Sequence, residues 1–249
     1  MEESTLIKNG NYHNYYEFRS DDSRSQILRK YLEKLWTAQH YDRLTLKDGS
    51  IHMLDIGCNT GQFTAKVRQI LTEVTKVGNV RAVGLDLDHK LCERAKRGFP
   101  NMEFICGNVM NIAQCDQPGT EDLIKLCLTR MGIQRFDVIC CFSVLMYVHL
   151  NGGDMGLRKV LDYICANGIF LILELQAWQK YRDHVRRLKR ATGQSYPQYA
   201  ELKWKGGRGM LEKYVKTYIQ SKGFKILGES TEKNEFNRQL IFFEKKYIS

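Results

Sequence analysis

No run of about 18 apolar residues occurs in the 249-residue chain, so the sequence offers no membrane-spanning helix. Its eight cysteines, at Cys58, Cys92, Cys106, Cys115, Cys127, Cys140, Cys141 and Cys165, form no C-x-x-C pair, and no histidine spacing completes a zinc site. No metal is expected on that ground. Several of these thiols sit in apolar runs, as buried free cysteines do, and the opening MEESTLIKNG has no basic segment leading into an apolar one. A reducing compartment follows as the expectation: cytoplasmic, with the nucleus as a second location. There is no linker, repeat or low-complexity stretch, so residues 1–249 read as one domain, expected to be monomeric.

What is present in excess is positive charge. Lys plus Arg number 38 against 28 Asp plus Glu, a formal net charge of +10, which attracts polyanions such as nucleic acid at long range. Much of it gathers in one segment, where Arg182, Arg186, Arg187, Lys189 and Arg190 follow one another on a helical pattern. A solvated face would look the same, but so one-sided a charge suits an RNA backbone.

Short apolar runs alternate with amphipathic stretches from residue 51 onward. Ile51 to Ile56, Val80 to Leu85, Met102 to Cys106, Phe136 to Phe142 and Ile169 to Leu173 read as strands. Helical patterns fall near 60–73, 89–97, 119–131 and 155–166, and this βαβ alternation predicts a doubly wound parallel sheet with its ligand site at the strand C-terminal ends. A helix from about Gln176 to Thr192, another at 207–222 and two strands near 224–229 and 238–245 complete the chain. Ahead of the core, Ser20 or Asp21 can cap a helix whose stripe Ile27, Leu28, Tyr31, Leu32 and Leu35 faces inward.

The sharpest motif is Met53-Leu54-Asp55-Ile56-Gly57-Cys58-Asn59-Thr60-Gly61, a strand entering a glycine-bearing turn before a helix. The dinucleotide fingerprint G-x-G-x-x-G is absent: Asn59 replaces its second glycine, which argues against an NAD-dependent dehydrogenase on the same fold. The turn suits the amino-acid end of S-adenosylmethionine better. Asp86, ending the next strand, can accept hydrogen bonds from both ribose hydroxyls, whereas Asp88 is placed to cap the following helix. Asn108 lies after the third strand, where an amide would meet an adenine edge or simply fix a turn. His149 alone is more often a hydrogen-bonded structural histidine than a ligand.

The fourth strand runs into Ser143-Val144-Leu145-Met146-Tyr147-Val148-His149-Leu150-Asn151-Gly152-Gly153-Asp154-Met155-Gly156-Leu157, which resembles the S-[IL]-T-x-W-[IV]-H-L-N-x-G-D-x-G-L pattern of the Bicoid-interacting-protein-3 family. Three further stretches are similar to that family: Gly10-Asn11-Tyr12 through Tyr15-Tyr16, Leu54 to Gly61, and Glu174-Leu175-Gln176-Ala177-Trp178. The sequence departs at Leu145 for Thr, Tyr147 for Trp, and Leu175 and Ala177 for two prolines.

The resemblance implies an α/β class I S-adenosylmethionine-dependent methyltransferase fold, Rossmann-like, with seven strands and helices on both faces. In that reading residues 1–36 form a lead-in and helix over the active site, and 51–249 the core. The cofactor S-adenosyl-L-methionine would contact Tyr16, Arg24, Asp55, Gly57, Cys58, Asn59, Asp86, Leu87, Asn108, Val109 and Phe142. The substrate would be RNA with a 5′-terminal phosphate, positioned by Tyr12, Tyr15, Arg19, His149, Lys180 and Arg182, with Arg186, Arg187 and Arg190 on the RNA backbone. The Tyr181-Arg182 to Lys189 segment favours methylation of a 5′-monophosphate on small RNAs of transfer-RNA or precursor-microRNA type. The lead-in leans toward the alternative, γ-phosphate capping of a 5′-triphosphate small nuclear RNA. A non-catalytic RNA-binding member is the third reading.

Overall fold

The computed structural model describes residues 7–10, 13, 22–36, 40, 44, 46–113, 122–207 and 209–246. The expected cap residues Ser20 and Asp21 lie outside that set. Seven strands form one sheet: β1 Ser50–Ile56, β2 Asn79–Asp86, β3 Glu103–Cys106, β4 Phe136–Phe142, β5 Gly168–Glu174, β6 Phe224–Glu229 and β7 Leu240–Lys245. Their order is β3-β2-β1-β4-β5-β7-β6, with the first five parallel and β7 antiparallel to both β5 and β6. The described helices are α1 Asp22–Leu35, α2 Gln62–Thr75, α3 His89–Gly98, α4 Val109–Ile112, α5 Leu123–Met131, α6 Leu145–Asn167, α7 Trp178–Thr192 and α8 Met210–Ser221.

Strand parity decides which helices cover which face. Ile51 and Met53 of β1, with Val138 and Cys140 of β4, pack on Ile27, Leu28 and Leu32 of α1 and Phe63, Val67 and Ile70 of α2. One residue out of phase, Leu54, Ile56, Ile139 and Cys141 meet α5, α6 and α8 on the opposite face. Because both faces are covered, β1, β4 and β5 are buried along their whole length, which is why they read as continuous apolar runs. The sheet order reverses between β1 and β4, so a cleft opens at their C-terminal ends.

The expected helix near 155–166 begins much earlier, at Leu145, where Leu145, Met146, Val148, His149 and Leu150 are all buried in the core. Gly153, with φ 65° and ψ −172°, interrupts α6 within its run. A side chain there would be strained and would collide with Gln198. Helix α7 buries Tyr181, His184 and Leu188, and the same spacing turns Arg182, Arg186, Arg187, Lys189 and Arg190 to solvent.

Candidate active site

A cleft of about 1180 Å³ lies over the C-terminal ends of β1, β2 and β4. Its floor is the turn after β1. Gly57 has φ 82°, and a Cβ there would stand 2.9 Å from Cβ of Val144, so backbone alone can occupy this position. Asn59 takes φ 52°, a left-handed conformation that asparagine tolerates, and its Oδ1 accepts from the Thr60 amide at 2.8 Å. Its own amide donates to Asp86 Oδ2 at 2.8 Å, tying the turn to the end of β2.

The other oxygen of Asp86, Oδ1, accepts from the Asp88 amide at 3.0 Å. A carboxylate has roughly four acceptor positions, so Asp86 retains capacity toward the cleft that it lines. Asp88 caps α3 as expected, accepting from the amides of Lys90 at 2.8 Å and Leu91 at 3.3 Å. It also holds His13 Nε2 at 2.7 Å, and Arg94 donates to the His13 carbonyl at 2.6 Å, which docks this point of the lead-in on α3. Asn108 caps the short α4 through the Met110 amide at 2.9 Å. Its turn-fixing role is thus realised, and it lines the cleft as well.

Asp55 is buried at the base of the cleft. Its Oδ2 accepts from the Thr64 hydroxyl at 2.6 Å, while Oδ1 has no hydrogen-bond partner among the described residues. Burial pushes its carboxyl up to about 6, against the lowering effects of Thr64 and Arg24. Asp86 is likewise pushed up by burial, against the lowering backbone hydrogen bonds from Asp88 and Asn59. An orphaned carboxylate oxygen beside a bare backbone turn fits a ligand carrying an ammonium group, and a second carboxylate one strand away fits a diol. Together they match the methionine and ribose parts of S-adenosylmethionine.

Of the residues expected to hold that cofactor, Arg24, Asp55, Gly57, Cys58, Asn59, Asp86, Leu87, Asn108, Val109 and Phe142 all line this one cleft. Tyr16 lies outside the described residues, as do Tyr12, Tyr15 and Arg19. Arg24 sits over the Phe63 ring at 3.6 Å and beside Phe142, which fixes its guanidinium at the cleft wall.

The remaining phosphate candidates separate. Lys180 lines the cleft; Arg182 does not, being turned outward and bonded to Gln179. His149 lies away from the cleft lining. It is 0% exposed and is fixed by Asp154 Oδ1 at 2.7 Å and the Tyr181 hydroxyl at 3.3 Å. Burial holds it below the ordinary histidine range, although Asp154 pulls the other way. Asp154 also accepts from the amides of Lys203 and Trp204, so the His-Asp pair joins α6 to α7 and to the 203–204 segment. His184, which does line the cleft, is pushed by burial down to about 4 and is neutral near pH 7. On the RNA side, Arg187 reaches the cleft wall, whereas Arg186 and Arg190 lie on the exposed face of α7.

The departures at Leu145 and Leu175 are core positions, 2% and 8% exposed, and neither these nor Ala177 lines the cleft. Tyr147 does, with its ring against Gly10 and edge-on to His184 at 5.0 Å. Glu174 and Arg238 were not singled out as site residues from the sequence. They meet at the cleft only because β5 and β7 are neighbours in the sheet, a pairing that no local pattern announces.

This fold and this cleft define a class I S-adenosylmethionine-dependent methyltransferase. Among solved structures, magnesium protoporphyrin IX methyltransferase from Synechocystis PCC 6803, with bound S-adenosylmethionine, covers 99% of this chain and 98% of its own at 12% identity, with a TM-score of 0.53. A methyltransferase-domain profile matches residues 54–170, and the Bicoid-interacting protein 3 (Bin3) profile matches residues 136–245. The RNA 5′-monophosphate methyltransferase of Rattus norvegicus is 30% identical over 207 residues, 78% of this chain and 69% of that protein. The pre-miRNA 5′-monophosphate methyltransferase of Danio rerio is 26% identical over 247 residues, covering 95% and 92%. The chain belongs to the Bin3 family.

Proposed function

We propose that the protein methylates an oxygen of the 5′-terminal monophosphate of small RNAs, of transfer-RNA or precursor-microRNA type. The observation that carries this reading is a cleft whose lining joins the Asp55, Gly57 and Asp86 set to the cationic side chains of Lys180, Arg187 and Arg238. The activities named for the rat and zebrafish relatives support the same substrate class.

S-adenosylmethionine, when bound, supplies an electrophilic methyl group. A phosphate monoester has a second pKa of about 6, so near pH 7 its oxygen is already anionic and no side chain need remove a proton. The chain's task is to hold that oxygen in line and to exclude water, worth several kcal/mol through proximity alone. Labelled S-adenosylmethionine offered with otherwise identical 5′-monophosphate and 5′-triphosphate RNAs tests the reading: label enters the monophosphate RNA. Label on the triphosphate RNA alone would replace it by γ-phosphate capping.

Two further outcomes follow. Arg186→Glu with Arg187→Glu weakens RNA binding and flattens its dependence on salt, because fewer counterions are released, while S-adenosylhomocysteine affinity stays the same. Equal salt slopes for variant and parent would remove α7 from the RNA path.

The second concerns Asp55. Its carboxyl is raised to about 6 from the model-compound 3.8, so its contribution favours the cofactor-free fold at low pH and is lost as pH rises through about 6, at a cost of about 3 kcal/mol. An ammonium ligand stabilises the ionised form. S-adenosylhomocysteine affinity therefore falls as pH drops below about 6, roughly tenfold per pH unit, and Asp55→Asn flattens that profile. Titration calorimetry at several pH values checks it; a flat profile in the parent would remove Asp55 from the ammonium site.

A further inference from the structure

The wall of the cleft between β4 and β7 is built around a buried carboxylate shared by two arginines. Glu174, at the end of β5, is 0% exposed. Its Oε2 takes Asn234 Nδ2 at 2.9 Å and Arg24 at 3.5 Å; its Oε1 takes Arg238 at 2.8 Å and the Ser143 hydroxyl. Two guanidinium groups thus share one carboxylate. Arg24 lies on the Phe63 side, within electrostatic reach of Asp55, so its charge is directed to the methionine end of the cleft. Arg238 lies on the Ser143 side.

Ser143 itself is held unusually. Its φ is 60°, in the left-handed region that a serine seldom adopts, and its carbonyl accepts from Gln176 Nε2 at 2.5 Å. A strained residue maintained by neighbours on several elements is a common mark of a functional wall. Here the strain aims the Ser143 hydroxyl at both Glu174 and Arg238. On Arg238, Nη1 alone carries these bonds, and Nε is buried with no hydrogen-bond partner among the described residues. A guanidinium fixed through one nitrogen keeps its remaining donors in a fork that matches two phosphate oxygens.

We infer that Arg238 is the cleft arginine that takes the substrate's terminal phosphate, with Glu174 and Ser143 as the residues that position it. The inference rests on the phosphate reading above and names the residue that recognises the group. Glu174 both locks the guanidinium and tempers its charge, which matters because an oxygen over-stabilised by cations is a poorer nucleophile toward the methyl group.

The test compares the binding of 5′-monophosphate and 5′-hydroxyl RNAs, otherwise identical, in the presence of S-adenosylhomocysteine. In the parent the phosphate strengthens binding. Arg238→Gln should remove roughly ten- to hundredfold of that preference, the size of a charged hydrogen-bond pair, and leave S-adenosylhomocysteine affinity unchanged. Arg238→Lys keeps a cation against Glu174 but loses the fork; it should fold even if the glutamine variant does not, and should lose part of the preference. Unchanged preference in a folded variant would overturn the assignment while leaving the phosphate reading intact. Lost cofactor affinity would also overturn it and place Arg238 at the cofactor's carboxylate. A parent that binds the two RNAs equally would overturn the phosphate reading and this inference together.

Discussion

Replacing Asp86 by Ala should weaken S-adenosylhomocysteine binding by about 3–4 kcal/mol, more than a hundredfold, because two ribose hydroxyls would lose a charged acceptor worth roughly 1.5–3 kcal/mol each, less any compensation by water. Part of that effect would be indirect. Asp86 also receives the amides of Asn59 and Asp88, so the alanine variant frees the turn that forms the cleft floor. Asp86→Asn separates the two contributions, since its amide oxygen can still accept a backbone hydrogen bond while the charge is gone. Calorimetry with S-adenosylhomocysteine should rank the parent above Asp86→Asn and that variant above Asp86→Ala. Unchanged affinity in Asp86→Ala, with a thermal midpoint close to the parent's, would show that the ribose is held elsewhere.

The cofactor half of the cleft was legible in the sequence because its residues sit at strand ends, and strand ends are marked locally. An apolar run stopping at Asp55-Ile56-Gly57 or at Leu85-Asp86 gives both the strand and the point where its backbone turns toward a ligand. Capping is equally local, which is why Asp88 could be separated from Asp86 two residues away. The helix α6 was harder. Its first turns, Leu145 to Leu150, are buried almost all round, so they lack the one-sided apolar face by which an amphipathic helix is recognised.

The residues expected around the substrate were less legible, for a different physical reason. His149 belongs to a motif that the family resemblance made prominent, yet the structure gives it a packing role: a buried imidazole joining Asp154 to Tyr181. A sequence pattern registers that a side chain is needed without saying whether it faces a ligand or a core. Conversely, Glu174 and Arg238 come from β5 and the segment entering β7, and their meeting depends on the pairing of β5 with β7. Arg182 and Arg187 stand on the same helix, but helical rotation carries Arg187 to the cleft and Arg182 away from it.

Removing the 5′-phosphate from the RNA should have the largest effect of all, since it takes away the nucleophile itself. An RNA treated with phosphatase before the reaction should accept no methyl group, whereas restoring its 5′-monophosphate with a kinase should restore the product. The product also has a chemical signature: a methylated phosphate is a diester, so phosphatase no longer releases it. The decisive measurement is therefore the fate of methyl label after nuclease digestion of the RNA product. Label recovered on a 5′-terminal nucleotide whose phosphate resists phosphatase is the predicted result; label in a base or ribose, or equal labelling of 5′-hydroxyl RNA, would contradict methylation of a terminal phosphate.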